Sequence, residues 1–330
     1  MREQWAKDFA KRAADHWTRE RVAGLIGDKK LPILPNEAPL LLRALGLLHR
    51  DALMPPAEVR KFRQINHMVA VLGPSLRELA AKFDPVRIVD IGCGRSYLTA
   101  AVGHYFQRVL DQAVQIIGID RNADVIAESE RRVELAGLAD VVRYRAADAD
   151  SVDLRQVWSE VFGAPRQPDM LISLHACDTA TDDGIAQGVR AGCHVIAVAP
   201  CCQAELAAGW RRRTTPNTDF GYQSDGYQSD AGADEPFSPL WSMPHLRRAT
   251  AASITDAMRV LLLSASGYAT TALEFVPAHG TPKNTLIRGI RRSAPSDAAY
   301  QEYLRLRDAT GGVGIKLERL LALRSSSAKL

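Results

Sequence analysis

The first residues that could do chemistry lie in the segment 90–97, where Gly92 and Gly94 follow a run of β-branched residues. Two glycines at this spacing let the backbone turn tightly at the end of a buried strand and approach a ligand closely. A dinucleotide-binding turn needs a further small residue three positions on, and Tyr97 would crowd a diphosphate there. Asp90 also adds negative charge where a diphosphate would lie. The segment therefore favours a cationic ligand that has no phosphate.

Two further acidic residues follow the next two strand-like runs. Asp120 ends the second run, where its carboxylate can accept hydrogen bonds from both hydroxyls of a ribose, and Asp148 follows the third, within reach of an adenine amino group. S-adenosylmethionine (SAM) joins an adenosine to an ammonium and a sulfonium group, so the charges favour SAM over NAD as the cofactor. The residues predicted to bind it are Asp90, Gly92, Cys93, Gly94, Asp120, Arg121, Asp148 and His175.

A second group of reactive side chains follows the fourth and fifth runs. Residues 175–182 include a histidine, a cysteine and two aspartates, and a cysteine pair stands at 201–202. Ligands of an open parallel sheet bind beyond the carboxyl ends of its strands, so these stretches and the turn at 279–284 should line the approach of a second substrate. The catalytic candidates are His175, Cys177, Asp178 and Lys283. The candidates for the substrate rim are Thr181, Asp182, Cys201, Cys202 and Asn284.

Several of these residues have a second interpretation. A hydroxyl acceptor must lose its proton, for which His175 and Asp178 are candidate bases, yet His175 could equally bond to the backbone behind the site. Asp182 could instead cap a helix that begins near Thr181. The cysteines are zinc-type ligands, but adjacent cysteines rarely both bind one tetrahedral ion and no CxxC spacing occurs. We therefore predict no metal.

The elements that must position these residues alternate between strand and helix. Five β-branched runs stand at 86–91, 114–119, 141–145, 170–174 and 195–199. The helical segments between them cover 96–109, 123–136, 152–162 and 181–191. This alternation predicts an α/β fold, a Rossmann-like parallel sheet with helices on both faces. After a helix at 249–266, runs at 270–276 and 285–290 are close enough to form an antiparallel hairpin.

The first 84 residues differ, because they contain helical patterns and no strand signal. Helices are predicted at 40–48 and at 59–82, the second interrupted near Gly73 and Pro74. Gln64 and His67 share one face of that second helix, which could contact the cofactor cleft or be solvated. We predict a helical region over 1–84, a second domain over 85–330, and helices at 298–307 and 315–323 near the end.

Charge is concentrated in the helical region. Residues 1–84 hold 15 Lys and Arg against 10 Asp and Glu, whereas the remainder holds 27 against 28. A basic region on a near-neutral body could bind a polyanion such as RNA, although amphipathic helices also place Lys and Arg on their solvated face. Within 210–240, the repeat GYQSD occurs twice in succession, at 221–225 and 226–230, and its composition predicts a mobile insertion.

Composition excludes other classes of protein. Of the 330 residues, 46% are hydrophobic and 24% are charged, which is typical of a globular chain and excludes one that is mainly disordered. No apolar run reaches the roughly 18 residues of a membrane span, and the mixed charges of the first twelve residues do not form a signal peptide. The five cysteines, an odd number, favour a reducing compartment. We expect a cytoplasmic protein without a membrane part.

Residues 86–200, together with the run at 285–290, resemble the class I SAM-dependent methyltransferases. The resemblance implies a mostly parallel seven-stranded sheet whose last strand inserts antiparallel. It also implies that Gly92 and Gly94 lie under SAM, that Asp120 contacts its ribose, and that Asp148 lies near its adenine. The motif set is shared by enzymes with many substrates, so it identifies the cofactor better than the acceptor.

A narrower resemblance rests on HACDTATD (175–182), PCCQ (200–203) and TPKN (281–284). These segments are similar to the methyltransferase domains of proteins of the glutathione S-transferase C-terminal-domain-containing type. They are more distantly similar to the tRNA 2′-O-methyltransferases of the acceptor stem, whose pattern is matched at His175, Cys177, Thr181, Asp182, Cys201 and Cys202. The sequence departs from that pattern at Asp178, Gln203 and Ala204, and it has no Cys/His zinc module before the catalytic part.

Three functions follow from the resemblance and the charge. The first is a SAM-dependent methyltransferase for RNA, such as tRNA or rRNA, which the basic helical region favours. The second is a methyltransferase for a protein or a small molecule, which the modest net charge of +4 and the lack of a recognisable RNA-binding module favour. The third is a SAM-binding protein without catalysis, because a fold alone does not fix a function.

Overall fold

The structure is a computed structural model that describes residues 2–174, 178–214, 237–274, 285–292 and 294–323. Its centre is a seven-stranded sheet of order β3-β2-β1-β4-β5-β7-β6. The strands are β1 (Val86–Ile91), β2 (Val114–Asp120), β3 (Val142–Ala146), β4 (Met170–Ser173), β5 (Val195–Val198), β6 (Tyr268–Glu274) and β7 (Thr285–Arg291). Strands β1 to β5 pair in parallel, and β7 inserts antiparallel between β5 and β6. The predicted fold class is confirmed.

Helices cover both faces of this sheet. In chain order they are α1 (Arg2–His16), α2 (Arg19–Ile26), α3 (Pro39–Ala44), α4 (Pro56–Lys82), α5 (Tyr97–His104), α6 (Ala123–Ala136), α7 (Leu154–Phe162), α8 (Thr179–Arg190), α9 (Glu205–Thr214), α10 (Ser238–Ser242), α11 (Pro244–Ala265), α12 (Asp297–Ala309) and α13 (Lys316–Leu321). A π-helical turn, Tyr105–Leu110, continues α5. The predicted helical character of the first 84 residues is confirmed.

Alternation along the strands divides the interior into two cores. Successive side chains of a strand point to opposite faces, so Ile88 packs with residues of the first six helices, whereas Val89 packs with those of the last seven. Strands β4 and β5 are buried along their whole length, as expected for parallel strands covered on both sides. The helices before β1 therefore share one hydrophobic core with the sheet, because Phe9 and Trp17 belong to the same buried cluster as Ile88. The domain boundary at residue 84 stays a prediction.

Some predicted boundaries are wrong. Helix α4 runs without interruption through Gly73 and Pro74. Proline removes one helical hydrogen bond, the one to the carbonyl of residue 70, and Ala70 is exposed, so water can bond to that carbonyl. Buried Val69, Leu72 and further apolar residues keep both halves of α4 packed on the sheet. The helix predicted at 40–48 ends earlier, at Ala44.

Parts of the predicted site lie outside the described residues. These parts are 175–177, most of the insertion with its repeat at 221–230, and the turn at 275–284. Within the described ranges, no helix combines the length and the hydropathy that crossing a membrane requires.

Candidate active site

The glycine turn after β1 folds back onto the end of β2. The amides of Gly92 and Cys93 both donate to the carbonyl of Ile119, over 2.8 and 3.0 Å. Gly92 and Gly94 have φ of 72° and 51°, a region that favours glycine. Ser96, the residue before Tyr97, also has a positive φ, 62°. The turn presents bare backbone at the carboxyl edge of the sheet.

Asp120 supports this turn from the neighbouring strand. Its Oδ2 accepts a hydrogen bond from the amide of Gly94 over 3.0 Å, and its Oδ1 accepts one from the amide of Asn122 over 3.0 Å. Each carboxylate oxygen has two acceptor positions, so Asp120 can still accept ribose hydroxyls. The sequence analysis missed the bond to Gly94, because it depends on how the ends of β1 and β2 are aligned.

Asp90 lies directly beneath the turn. Its side chain is 4% exposed, and its Oδ2 accepts a hydrogen bond from the Thr99 hydroxyl over 2.6 Å. Burial raises the pKa of Asp90 to about 7; the bond from Thr99 opposes this rise, and the charge of Asp120 adds to it. A buried carboxylate that is reluctant to ionise is stabilised by a cation, so Asp90 and Asp120 together fit a ligand of positive charge.

We expect SAM to bind more weakly below neutral pH because of Asp90. If only the ionised carboxylate favours the cation, affinity should rise about tenfold between about pH 6 and about pH 8. Asp90 holds its proton more tightly in the folded chain than in the unfolded one, so its contribution to stability falls as the pH rises towards 7. Titration calorimetry at several pH values measures the affinity. Asp90→Asn should remove the slope, and a wild-type affinity that does not change with pH would contradict this role.

Cys93 is held by packing on the inner side of the turn. A Cβ at Gly118 would lie 3.1 Å from its Sγ and 2.5 Å from the ring of Tyr144, so only glycine fits at that point of β2. The Tyr144 hydroxyl in turn is hydrogen-bonded to Ser96. Burial raises the pKa of the Cys93 thiol, which therefore stays protonated. Any contact of Cys93 with a cofactor would be made by its backbone.

Two more of the residues predicted to bind the cofactor, Arg121 and Asp148, are exposed. Arg121 directly follows β2, and Asp148 lies in the loop after β3. The amide of Ala147 donates to the carbonyl of Asp120 over 3.1 Å, which brings this loop to the end of β2. Asp148 therefore lies at the same edge of the sheet as Asp120, where its role with adenine remains a prediction.

Helix α4 contacts the same edge of the sheet at the ring of Tyr97. Sequence reasoning did not predict this contact. The Lys61 ammonium lies 4.5 Å from the centre of the Tyr97 ring, and the Arg132 guanidinium carbon lies 5.5 Å from it. Burial lowers the pKa of Lys61. Tyr97 begins α5 immediately after the turn, so Lys61 connects the N-terminal helices to the predicted cofactor site.

At the substrate side, Asp178 joins the loops after β4 and β5. Its amide donates to the carbonyl of Cys202 over 3.0 Å, and its Oδ1 accepts from the amides of Ala204 and Glu205 over 2.9 and 3.2 Å. Its φ of 52° is unusual for a residue with a side chain, and these bonds hold it in place. The carboxylate caps the start of α9, so Asp178 positions this loop, and its role as a base stays a prediction.

Thr181 and Asp182 were expected at the substrate rim, and this placement is wrong. Both are fully buried at the start of α8. The Asp182 Oδ1 accepts a hydrogen bond from Arg259 Nε over 2.7 Å, and Arg259 is 1% exposed. Burial raises the pKa of Asp182 to about 6, although the charge of Arg259 lowers it. Neither side chain can reach a substrate at the surface.

Arg259, on α11, connects α8 with the residues that precede it on the substrate side of the site. Besides Asp182, it donates from Nη2 to the carbonyl of Asp178 over 2.8 Å and from Nη1 to Asp256 over 3.3 Å. Asp256 in turn accepts from the side chain of Gln203 in the loop after β5. Sequence reasoning missed Arg259, because an arginine inside an amphipathic helix carries no local sign of a buried partner.

The remaining candidates fall into two groups. Cys201 and Cys202 are half-buried after β5, with Cys202 beside Asp178, and neither forms a disulfide. Within the described part of the chain, no three histidine, cysteine or acidic side chains come close enough together to hold a metal ion. The other candidates, His175, Cys177, Lys283 and Asn284, lie outside the described residues, so their roles stay predictions.

Residues 60–209, slightly less than half of the chain, match the family model for a methyltransferase domain. The matched span begins just before Lys61 and includes β1 to β5 with the glycine turn. The glycine turn, where the negative charges of Asp90 and Asp120 disfavour a phosphate, is also the part of the site that fits SAM. The predicted enzyme class, a SAM-dependent methyltransferase, and its cofactor are confirmed at this level. No curated protein sequence matches the chain.

Solved structures with a similar fold include the Podospora anserina methyltransferase PaMTH1 with bound SAH, at 13% identity and a TM-score of 0.42 over 84% of this chain and 97% of that one. The 23S rRNA methyltransferase ErmE is similar at 14% identity and a TM-score of 0.36, over 76% and 81%. The [4+2]-cyclase SpnF is similar at 20% identity and a TM-score of 0.29, over 40% of this chain and only 45% of its own length. We draw no substrate from likenesses this distant.

Proposed function

We propose that this SAM-dependent methyltransferase modifies RNA, with tRNA and rRNA as the candidate acceptors. The observation that carries the proposal is the position of the basic region. The N-terminal helices hold the excess of positive charge, and α4 contacts the glycine turn through Lys61 and Tyr97. A polyanion bound along these helices would therefore lie beside the methyl donor, where electrostatic attraction also speeds its arrival.

Methyl transfer is an in-line displacement, so most of the catalysis is correct placement of the two reactants. SAM, when bound, supplies the methyl group on a sulfonium. In this proposal, Asp90 and Asp120 bind and orient the donor from the ends of β1 and β2. Asp178 and Arg259 hold the loops after β4 and β5 in one arrangement, against which the acceptor is placed.

The proton of a hydroxyl acceptor needs a base, and we propose His175 for that role now that the Asp178 carboxylate caps α9. Cys177, Lys283 and Asn284 stay proposed as further residues of the acceptor side, and Cys201 and Cys202 as its rim. The narrower resemblance to the glutathione S-transferase C-terminal-domain-containing type and to the acceptor-stem tRNA enzymes belongs to this proposal, as does a cytoplasmic location.

The acceptor class is tested by transfer of a radiolabelled methyl group from SAM into fractionated cell extract. We expect the label in RNA, sensitive to ribonuclease, and we expect Asp120→Ala to abolish most of it at limiting SAM. Label in protein or in small solutes would refute the RNA proposal and favour the second function. SAM binding without any transferred label would favour a non-catalytic SAM-binding protein.

A further inference from the structure

A basic cleft lies away from the glycine turn, between the end of α2 and the first half of α4. It has a volume of about 300 Å³. Ile26 and Leu31 form an apolar part of its lining. Its charged or titratable lining residues are Lys29, Lys30, Arg63 and His67. No acidic side chain lines the cleft, so its field is positive.

The cations of this cleft are available to a ligand. Lys29 and Lys30 are exposed, and within the described part of the chain no acidic group pairs with either ammonium. Arg63 donates from Nη2 to the carbonyl of Leu25 over 3.0 Å, which holds its guanidinium at the wall. A guanidinium has five N–H donors, so most of those of Arg63 remain for an acceptor.

We propose that this cleft binds a backbone phosphate of the acceptor RNA, an inference that rests on the proposed function. A fixed guanidinium matches the two oxygens of a phosphodiester, and the two flexible ammonium groups add point charges beside it. The apolar lining leaves contact area for a sugar. Because the cleft opens on the surface, a continuous strand can enter and leave it.

The position of the cleft on α4 connects it with the methyl donor. Arg63 and His67 follow Lys61 on the same helix, about 3 and 9 Å further along its axis but on another side of it, because two residues turn a helix by about 200° and six by about 240°. Lys61 contacts Tyr97 at the glycine turn. A strand anchored in the cleft therefore has to pass around α4 before a base a few nucleotides away reaches the turn. The proposal requires an oligonucleotide acceptor, because a free nucleoside lacks the anchor.

The test compares RNA binding by the wild type and by Lys29→Gln/Lys30→Gln, both as the full chain. The probe is a fluorescein-labelled single-stranded RNA of about 16 nucleotides, and affinity is measured by anisotropy over a range of salt concentrations. Loss of the contact with this one phosphate should reduce the salt slope by about 0.7 and the affinity at low salt by at least about tenfold. SAM affinity, measured by calorimetry, should not change.

The matched control is Arg131→Gln/Arg155→Gln, which removes the same charge from exposed positions on α6 and α7. It should retain most of the RNA affinity. Equal losses in both double variants would mean that net charge alone acts, and the cleft would be rejected.

Failure of the cleft and failure of the proposed function give different results. If RNA is methylated but the lysine variant binds and modifies it like the wild type, the cleft is rejected and the function stands. If the radiolabel enters protein alone, both are rejected. A variant that loses RNA affinity and RNA methylation together, with SAM affinity intact, supports both.

Discussion

Arg259→Met should destabilise the folded protein by about 3 kcal/mol or more, the largest loss we expect from a single substitution outside the hydrophobic cores. The substitution leaves Asp182 fully buried without its charged partner, and an uncompensated buried charge is costly. It also removes the donor to the Asp178 carbonyl, which helps to hold a residue of unfavourable φ. Urea unfolding followed by circular dichroism measures the change.

Two further variants separate the buried charge from general loss of an arginine. Arg319→Met removes a guanidinium that is 68% exposed and pairs with Glu205, and it should cost about 1 kcal/mol or less. Arg259→Met/Asp182→Leu removes both buried charges and should recover much of the stability. If Arg259→Met unfolds at the same urea concentration as Arg319→Met, the buried pair is not a determinant of stability.

Asp120→Ala should weaken SAM binding by at least about 1.5 kcal/mol, because it removes charge-assisted hydrogen bonds that cannot be replaced from the same strand. One is the predicted bond to the ribose, and the other is the bond that supports Gly94. Asp120→Asn keeps the shape and one acceptor oxygen but loses the negative charge, so its affinity should lie between the two. Calorimetric titration of the three proteins with SAM gives the comparison.

Asp297→Ala is the control for this measurement, since it removes a carboxylate from the first turn of α12, on a helix that does not contribute to the glycine turn. Its SAM affinity should equal that of the wild type. Equal affinities for Asp120→Ala and the wild type would remove Asp120 from the site. Tight binding of NAD or ATP in place of SAM would overturn the cofactor itself.

Most of the fold could be predicted from local sequence patterns. The runs of β-branched residues predicted β1 and the sheet around it, because a strand buried on both faces needs apolar residues throughout. The glycine turn and Asp120 were predictable for the same reason, since a turn at a strand end is a local feature.

Contacts between distant residues were not predictable in this way. Asp182 and Arg259 stand 77 positions apart. In the sequence, each is indistinguishable from a charged residue on the solvated face of a helix. The capping role of Asp178 depends on where the loop after β5 lies, which is a result of packing between α8 and α11. The continuity of α4 across Pro74 likewise depends on burial of its neighbours, which outweighs the local preference of proline.

The N-terminal helices and the sheet share one hydrophobic core, which limits how the chain can be shortened. A shortened version that starts at β1 would lose the helices that pack against α5 and α6, so apolar side chains of this core would face water, and such a surface promotes aggregation. The basic segment and the catalytic segment must therefore have been retained or lost as a unit. For the same reason, if the helices bind RNA as proposed, that binding should also stabilise the sheet against thermal unfolding.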